Sequence, residues 1–198
     1  MPHDLDPTRP VPALRLLAVA DHPVIAARVA GDAPTDGQGV LLRDGWWDAL
    51  EHIPRAGTVI VRTTPGIDDG PAWLPGARGA MAERLDALEA RVTDGVLVVL
   101  PHAEGVISDV PSTRTMLRAR ERWWLLLDPL ALLTPAMLAD APDHLSRVFD
   151  ALGEHERLWG LVLPGPGPWR EAVGARIEHA RRERADAGRG VLVLERSP

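Results

Sequence analysis

The sequence contains no cysteine, and all 22 of its basic residues are arginine. Without cysteine there is no disulfide framework, no thiolate nucleophile and no thiolate metal site. Without lysine there is no Schiff-base chemistry and no Walker-type phosphate lysine. Asparagine and tyrosine are also missing, while Ala, Arg, Gly and Pro abound. That bias points to a GC-rich bacterial genome and says nothing of function. No run approaches the roughly 20 apolar residues that a membrane helix needs. Residues 1–12 are acidic and proline-rich, and the apolar run after them is broken by Arg15. A signal peptide has neither feature, so the cytoplasm is the expected location and no membrane partner is expected.

The formal charge of −6 opposes binding to nucleic acid, where cationic patches normally supply most of the affinity. The one basic cluster, Arg181-Arg182-Glu183-Arg184, is expected near a helix end as a solvated face that complements the helix dipole.

With 198 residues, 45% of them apolar, the chain suits one domain with a full core. It is short for an eight-stranded barrel, which usually takes about 250 residues. Continuous apolar runs at 14–20, 58–62, 96–100, 123–127, 158–163 and 191–194 read as strands buried on both faces. Residues 40–42 are a seventh candidate, equally readable as the first turn of a helix.

Helical patterns fall between these runs. Met81, Leu85, Leu88 and Val92 form one stripe, which Gly95 is expected to end. Ser112 is the expected cap of a short helix carrying Met116 and Leu117. Thr134-Pro135 opens a segment whose stripe is Leu145, Val148, Phe149 and Leu152. Trp169, Val173, Ile177 and Ala180 line a last helix closed by Gly188, and Trp46, Leu50 and Ile53 suggest another before Pro54. Alternation of strand and helix predicts right-handed βαβ units and a mainly parallel sheet. Residues 1–13 read as a tail and 14–198 as a single domain.

In such folds, sites form at the carboxyl ends of the strands. Those ends supply Asp21-His22, Arg62-Thr63-Thr64, His102 with Glu104, Asp128, and Glu195-Arg196. Imidazoles and carboxylates from several strands can share a divalent metal, and Arg62 can hold a phosphate or carboxylate by paired hydrogen bonds. Each also has a plainer reading. Asp128 precedes Pro129 and suits a turn or cap as well as a ligand shell. His102 follows Pro101 and suits a loop hydrogen bond. His3, His52, His144, His155 and His179 fall in the tail or on helices and read as surface residues. The paired indoles Trp46-Trp47 and Trp123-Trp124 face opposite ways, so some belong to the core or to an interface. The Pro-Gly run at 164–168 fits neither a P-loop nor a dinucleotide fingerprint, and no G-x-S-x-G nucleophile elbow occurs.

The order of segments over residues 58–195 is similar to that of the xylose isomerase-like TIM-barrel superfamily, which includes sugar phosphate isomerases and epimerases. Thr58-Val-Ile-Val-Arg-Thr-Thr-Pro-Gly66 resembles the fourth strand and its loop, and Val96-Leu-Val-Val-Leu-Pro-His-Ala-Glu104 the fifth. Trp124-Leu-Leu-Leu-Asp-Pro129 resembles the sixth, with 159–163 and 191–195 as seventh and eighth. Residues 14–20 then stand as the third strand, leaving no sequence for the first two. The resemblance implies an incomplete (β/α) barrel of six or seven strands with outer helices. It also implies a divalent metal (Mn, Mg, Zn or Co) held at the strand ends.

Carried over by position, Asp128 and Glu195 match metal-ligand positions. The fifth-strand glutamate position is Pro101, beside which His102 or Glu104 can stand in. The seventh strand offers Leu161, Leu163 and Pro164 where the family has His and Asp.

Two functions follow from this resemblance. One is metal-assisted isomerisation or epimerisation of a small sugar or sugar phosphate, with Glu195 and His102 catalytic and Arg62 on the substrate anion. The other is a non-catalytic relative acting as a binding or scaffold domain. An open sheet edge would favour a homo-oligomer that covers it.

Overall fold

The computed structural model describes residues 14–16, 24–29, 38–42 and 45–195. One sheet contains β1 (Leu14–Leu16), β2 (Val24–Val29), β3 (Gln38–Leu42), β4 (Ala56–Val61), β5 (Asp94–Val99), β6 (Trp123–Leu127), β7 (Leu158–Leu163) and β8 (Leu192–Glu195). Their spatial order is the chain order. The six strands from β3 to β8 are parallel throughout, while β1 and β2 extend the sheet antiparallel beyond β3. Four helices join the parallel strands: α1 (Pro75–Arg91), α2 (Val110–Ala119), α3 (Ala141–Leu152) and α4 (Arg170–Asp186). Single-turn and longer 3₁₀ segments cover Trp46–His52, Ile67–Asp69 and Pro135–Asp140.

The expected incomplete barrel is what forms. Strand residues alternate between two apolar layers, as the twofold period of a pleated strand requires. Val59, Leu97, Leu125, Leu161 and Val193 pack with the helices in a single large cluster. Leu41, Ile60, Val98, Leu126, Val162 and Leu194, one from each parallel strand, make a second cluster that contains no helical residue. A sheet wound in one direction, with its helices on one face, is a barrel segment and not a doubly wound sheet.

Several local expectations need correcting. The neighbour of β4 is β3, which contains the doubtful 40–42 run, and not the 14–20 segment. That earlier segment pairs antiparallel with Val24–Val29, a strand missing from the sequence reading. Residues 17–20 and the tail expected over 1–13 lie outside the described residues.

Gly95 does not end α1; it sits in β5 opposite Gly57, where an added Cβ would lie 2.5 Å from the Gly57 carbonyl oxygen. The cap of α2 is Asp109, whose carboxylate accepts the Ser112 N–H at 2.7 Å, and Ser112 answers from the third helical position.

Arg184 belongs to the core. It is 2% exposed and donates to the carbonyls of His155, Leu158 and Gly190. Its basic run is therefore only partly a solvated face, because one member turns inward. His155 is half-buried, not a surface residue. The core reading of the indole pairs holds for Trp46 and Trp123, both fully buried, while Trp47 packs against the Arg84 guanidinium at 3.8 Å.

Candidate functional site

The carboxyl ends of β4, β5 and β6 are tied together by their loops. Thr63, fully buried just after β4, accepts from the β5 loop twice: the Val106 N–H at its carbonyl (2.8 Å) and the Ile107 N–H at its Oγ1 (3.1 Å). The same loop reaches the next strand end, where the Ala103 N–H donates to the Ala131 carbonyl at 2.8 Å. Gly105 permits this closeness. A Cβ there would lie 2.9 Å from Thr63 Oγ1 and 3.2 Å from the His102 carbonyl oxygen. The rim is thus a stitched surface and not three independent loops.

Arg62 lies two residues beyond Ile60, and Asp128 two beyond Leu126, so both continue the rows that face away from the helices. Asp128 is 3% exposed, and its Oδ1 accepts the Ala131 N–H at 3.3 Å. This contact closes the turn after β6, the plainer of the two roles its sequence allowed. His102 is partly buried; its Nδ1 accepts the Glu104 N–H at 3.2 Å, and the exposed Glu104 carboxylate stands 4.0 Å away. In that contact the neutral ring carries its proton on Nε2.

Glu195 stands apart. It follows Leu194 by one residue and so faces the helices. There it meets Arg170, the first residue of α4, at 2.5 Å, and the same guanidinium donates to the Pro164 carbonyl at 2.7 Å. Of the candidate residues, then, Arg62, His102, Glu104 and Asp128 share the rim of β4, β5 and β6, and Glu195 is engaged on the other layer. Asp21, His22 and Arg196 lie outside the described residues.

Two polar atoms at the end of β4 have no partner. Arg62 Nε and Thr64 Oγ1 are both buried without a hydrogen bond, and among the described residues the Arg62 guanidinium makes no ion pair. Buried polar groups are nearly always satisfied; among the described residues Trp46 Nε1, Thr58 Oγ1 and Arg184 Nε are likewise buried without a partner. The sequence reading named Arg62 but gave Thr64 no role. Its only signal was a hydroxyl two residues past a strand-end arginine.

A divalent metal needs several imidazole or carboxylate groups within about 2 Å of one point. Among the described residues no three His, Asp or Glu side chains gather in that way. Among the described residues those of the rim do not make up the implied ligand set.

A cleft of about 320 Å³ lies elsewhere, between the Trp46–His52 turn and α1, where Trp47, Glu83 and Arg84 border it. Arg84 is already engaged there: it forms an ion pair with Asp69 and so holds the Asp69 carboxyl below its usual value of 3.8. Among the described residues no helix is long and apolar enough to cross a membrane. No family model, no curated protein and no solved structure matches the chain.

Proposed function

We propose that this chain is a relative of the xylose isomerase-like superfamily that binds a small sugar or sugar phosphate at the β4–β6 rim. On this reading it keeps the substrate contact without assembling the metal shell. The observation that carries it is a contrast between two arginines. Arg170 is neutralised by Glu195 on the helix layer, whereas Arg62, at a strand's carboxyl end on the opposite layer, makes no ion pair among the described residues. A buried donor left without an acceptor is costly, and Arg62 Nε is one; on this reading a ligand oxygen supplies the partner. Titration calorimetry with a panel of short-chain sugars and their monophosphates tests the reading. Binding that Arg62→Met removes supports it, and heats at the level of buffer dilution across the panel defeat it.

A second reading, sugar isomerisation or epimerisation, is favoured by one feature of His102. Its Nδ1 accepts the Glu104 N–H at 3.2 Å, which orients the ring at the carboxyl end of β5, and on this reading the ring exchanges a proton with the substrate. On this reading Asp128, at the end of the adjacent strand, takes the proton from a carbon next to a carbonyl. Exchange of substrate hydrogen with deuterated solvent, lost in Asp128→Asn, separates this reading from simple binding. Absence of exchange with a ligand that binds leaves the binding domain. Within the same proposal, a second copy of the chain covering the β8 edge answers the expected need to close an open sheet, and light scattering on the purified protein measures it.

A further inference from the structure

We propose that the cleft between the Trp46–His52 segment and α1 is a second ligand site, which takes a small amphipathic cation: an ammonium group on a short apolar or aromatic body. The site is separate from the β4–β6 rim and does not rest on the sugar-binding reading. Its volume of about 320 Å³ falls at the small end of the roughly 300–1,000 Å³ usual for ligand pockets.

Trp47, Leu50, Ala80 and Ala87 supply the apolar part of the cleft. The two alanines stand two turns apart on α1, with Glu83 and Arg84 between them, so a single helix face makes one wall. Alanine at both places keeps that wall recessed. The opposite wall is braced before any ligand arrives. Trp47 meets the buried Trp46 ring edge to face, with centroids 5.7 Å apart, and the Arg84 guanidinium lies over Trp47 at 3.8 Å. Both oxygens of Asp69 accept from that guanidinium, and the Gly66 N–H donates to Asp69 Oδ2 at 2.7 Å. Gly66 allows this closeness, since a Cβ there would lie 3.0 Å from Asp69 Oδ2 and 3.2 Å from the Trp47 ring.

Charge selects the ligand. Asp69 neutralises Arg84, and Glu83, exposed, makes no ion pair among the described residues. Glu83 therefore carries the one uncompensated charge among the residues that border the cleft. A carboxylate beside an indole favours a cation and repels an anion, and Arg84 already uses the same attraction of a positive charge to the Trp47 ring. An uncharged ligand would gain the apolar contacts and leave Glu83 unused.

Calorimetric titration of the full chain with phenethylamine, phenethyl alcohol and hydrocinnamate tests the proposal; the three are close in shape and carry a positive, no and a negative charge. Tryptophan fluorescence gives a second readout. The amine should bind about fivefold more tightly than the alcohol, the worth of one partly exposed ion pair, and the acid more weakly than either. Glu83→Gln should erase the preference for the amine and leave the alcohol unchanged. Ala87→Leu should abolish binding of all three, at an exposed helix position where leucine is nearly as favourable as alanine. Arg62→Met should leave amine binding intact, which separates this site from the rim. Equal affinity for amine and alcohol would overturn the cation assignment. Failure of all three probes to bind, amine binding that survives both cleft variants, or its loss in Arg62→Met would overturn the site itself.

Discussion

The guanidinium of Arg157, on the turn that leads into β7, donates to the backbone carbonyl of Leu117 in the last turn of α2, 40 residues earlier. The same side chain bonds the Arg120 carbonyl at 2.7 Å. The arrangement recurs around the amino end of the sheet. Arg122, ahead of β6, bonds the carbonyls of Glu89 and Val92 at the end of α1, and Arg91 bonds those of Glu51 and Ile53 at the end of the Trp46–His52 3₁₀ segment. The last carbonyls of a helix have no partner within it. Here the next unit of the fold supplies one, through a forked side chain that reaches several at once.

Lysine cannot reproduce that fork. Arg157→Lys should lower stability by about 2 kcal/mol, the loss of charge-assisted bonds to carbonyls that then lack a partner. Urea denaturation should show a lower midpoint with an unchanged slope. An unaltered midpoint would mean that these contacts add nothing to solvation by water.

The pairing of Gly57 with Gly95 at the start of β4 and β5 leaves no room for a methyl group. Gly95→Ala should cost about 2–3 kcal/mol through overpacking against the strand backbone, read as a drop in unfolding temperature. Gly105→Ala should behave differently. It strikes Thr63 Oγ1 at the rim, so ligand affinity should fall more than stability does.

His155 gives stability a pH dependence. Burial, first, and then the charge of Arg157 hold its pKa below 6.5; Glu156 opposes them, and Arg114 and Arg184 add to the lowering. Its Nδ1 also accepts the Arg157 N–H at 3.2 Å, which the protonated ring cannot do. Above 6.5 the group is neutral in both states and contributes no pH dependence. Below it, the unfolded chain takes up the proton first, and stability declines until the pH reaches the lower pKa of the folded state. Urea midpoints from about pH 7 to about pH 5 should therefore fall, and His155→Gln should flatten that part of the curve.

Glu195→Gln separates the two layers of the sheet. The Glu195–Arg170 pair is roughly half exposed, so its loss should cost less than about 1 kcal/mol. Ligand affinity at the rim should not change. A large loss of binding in this variant would return Glu195 to the site.

The architecture was legible from the sequence where burial on both faces wrote an unbroken apolar run, as in residues 123–127 and 158–163. It was less legible where the apolar run is short and built partly of alanine, as in Val24-Ile-Ala-Ala-Arg-Val29, which neither alternates nor forms a long run. For the site, residue type and strand end were enough to bring out Arg62, His102 and Asp128. They could not place Glu195, whose layer depends on a one-residue register that no composition reveals. Arg184 misled for a related reason. Three arginines in four residues look solvated until the helix face is known, and one of them points at carbonyls from other elements. Thr64 stood in the sequence at the same strand end as Arg62, but that its buried hydroxyl lacks a partner is a fact only coordinates disclose.

The strand order has a consequence for how the chain acquires its shape. Each parallel strand lies beside the one that precedes it in the chain, so every crossover is completed by residues only a few tens of positions apart. Low sequence separation of contacts favours fast folding. During synthesis, each strand–helix unit can dock onto the one already formed without waiting for a distant partner. The amino-end arginines would then act as successive latches, each fastening a finished helix as the following strand arrives.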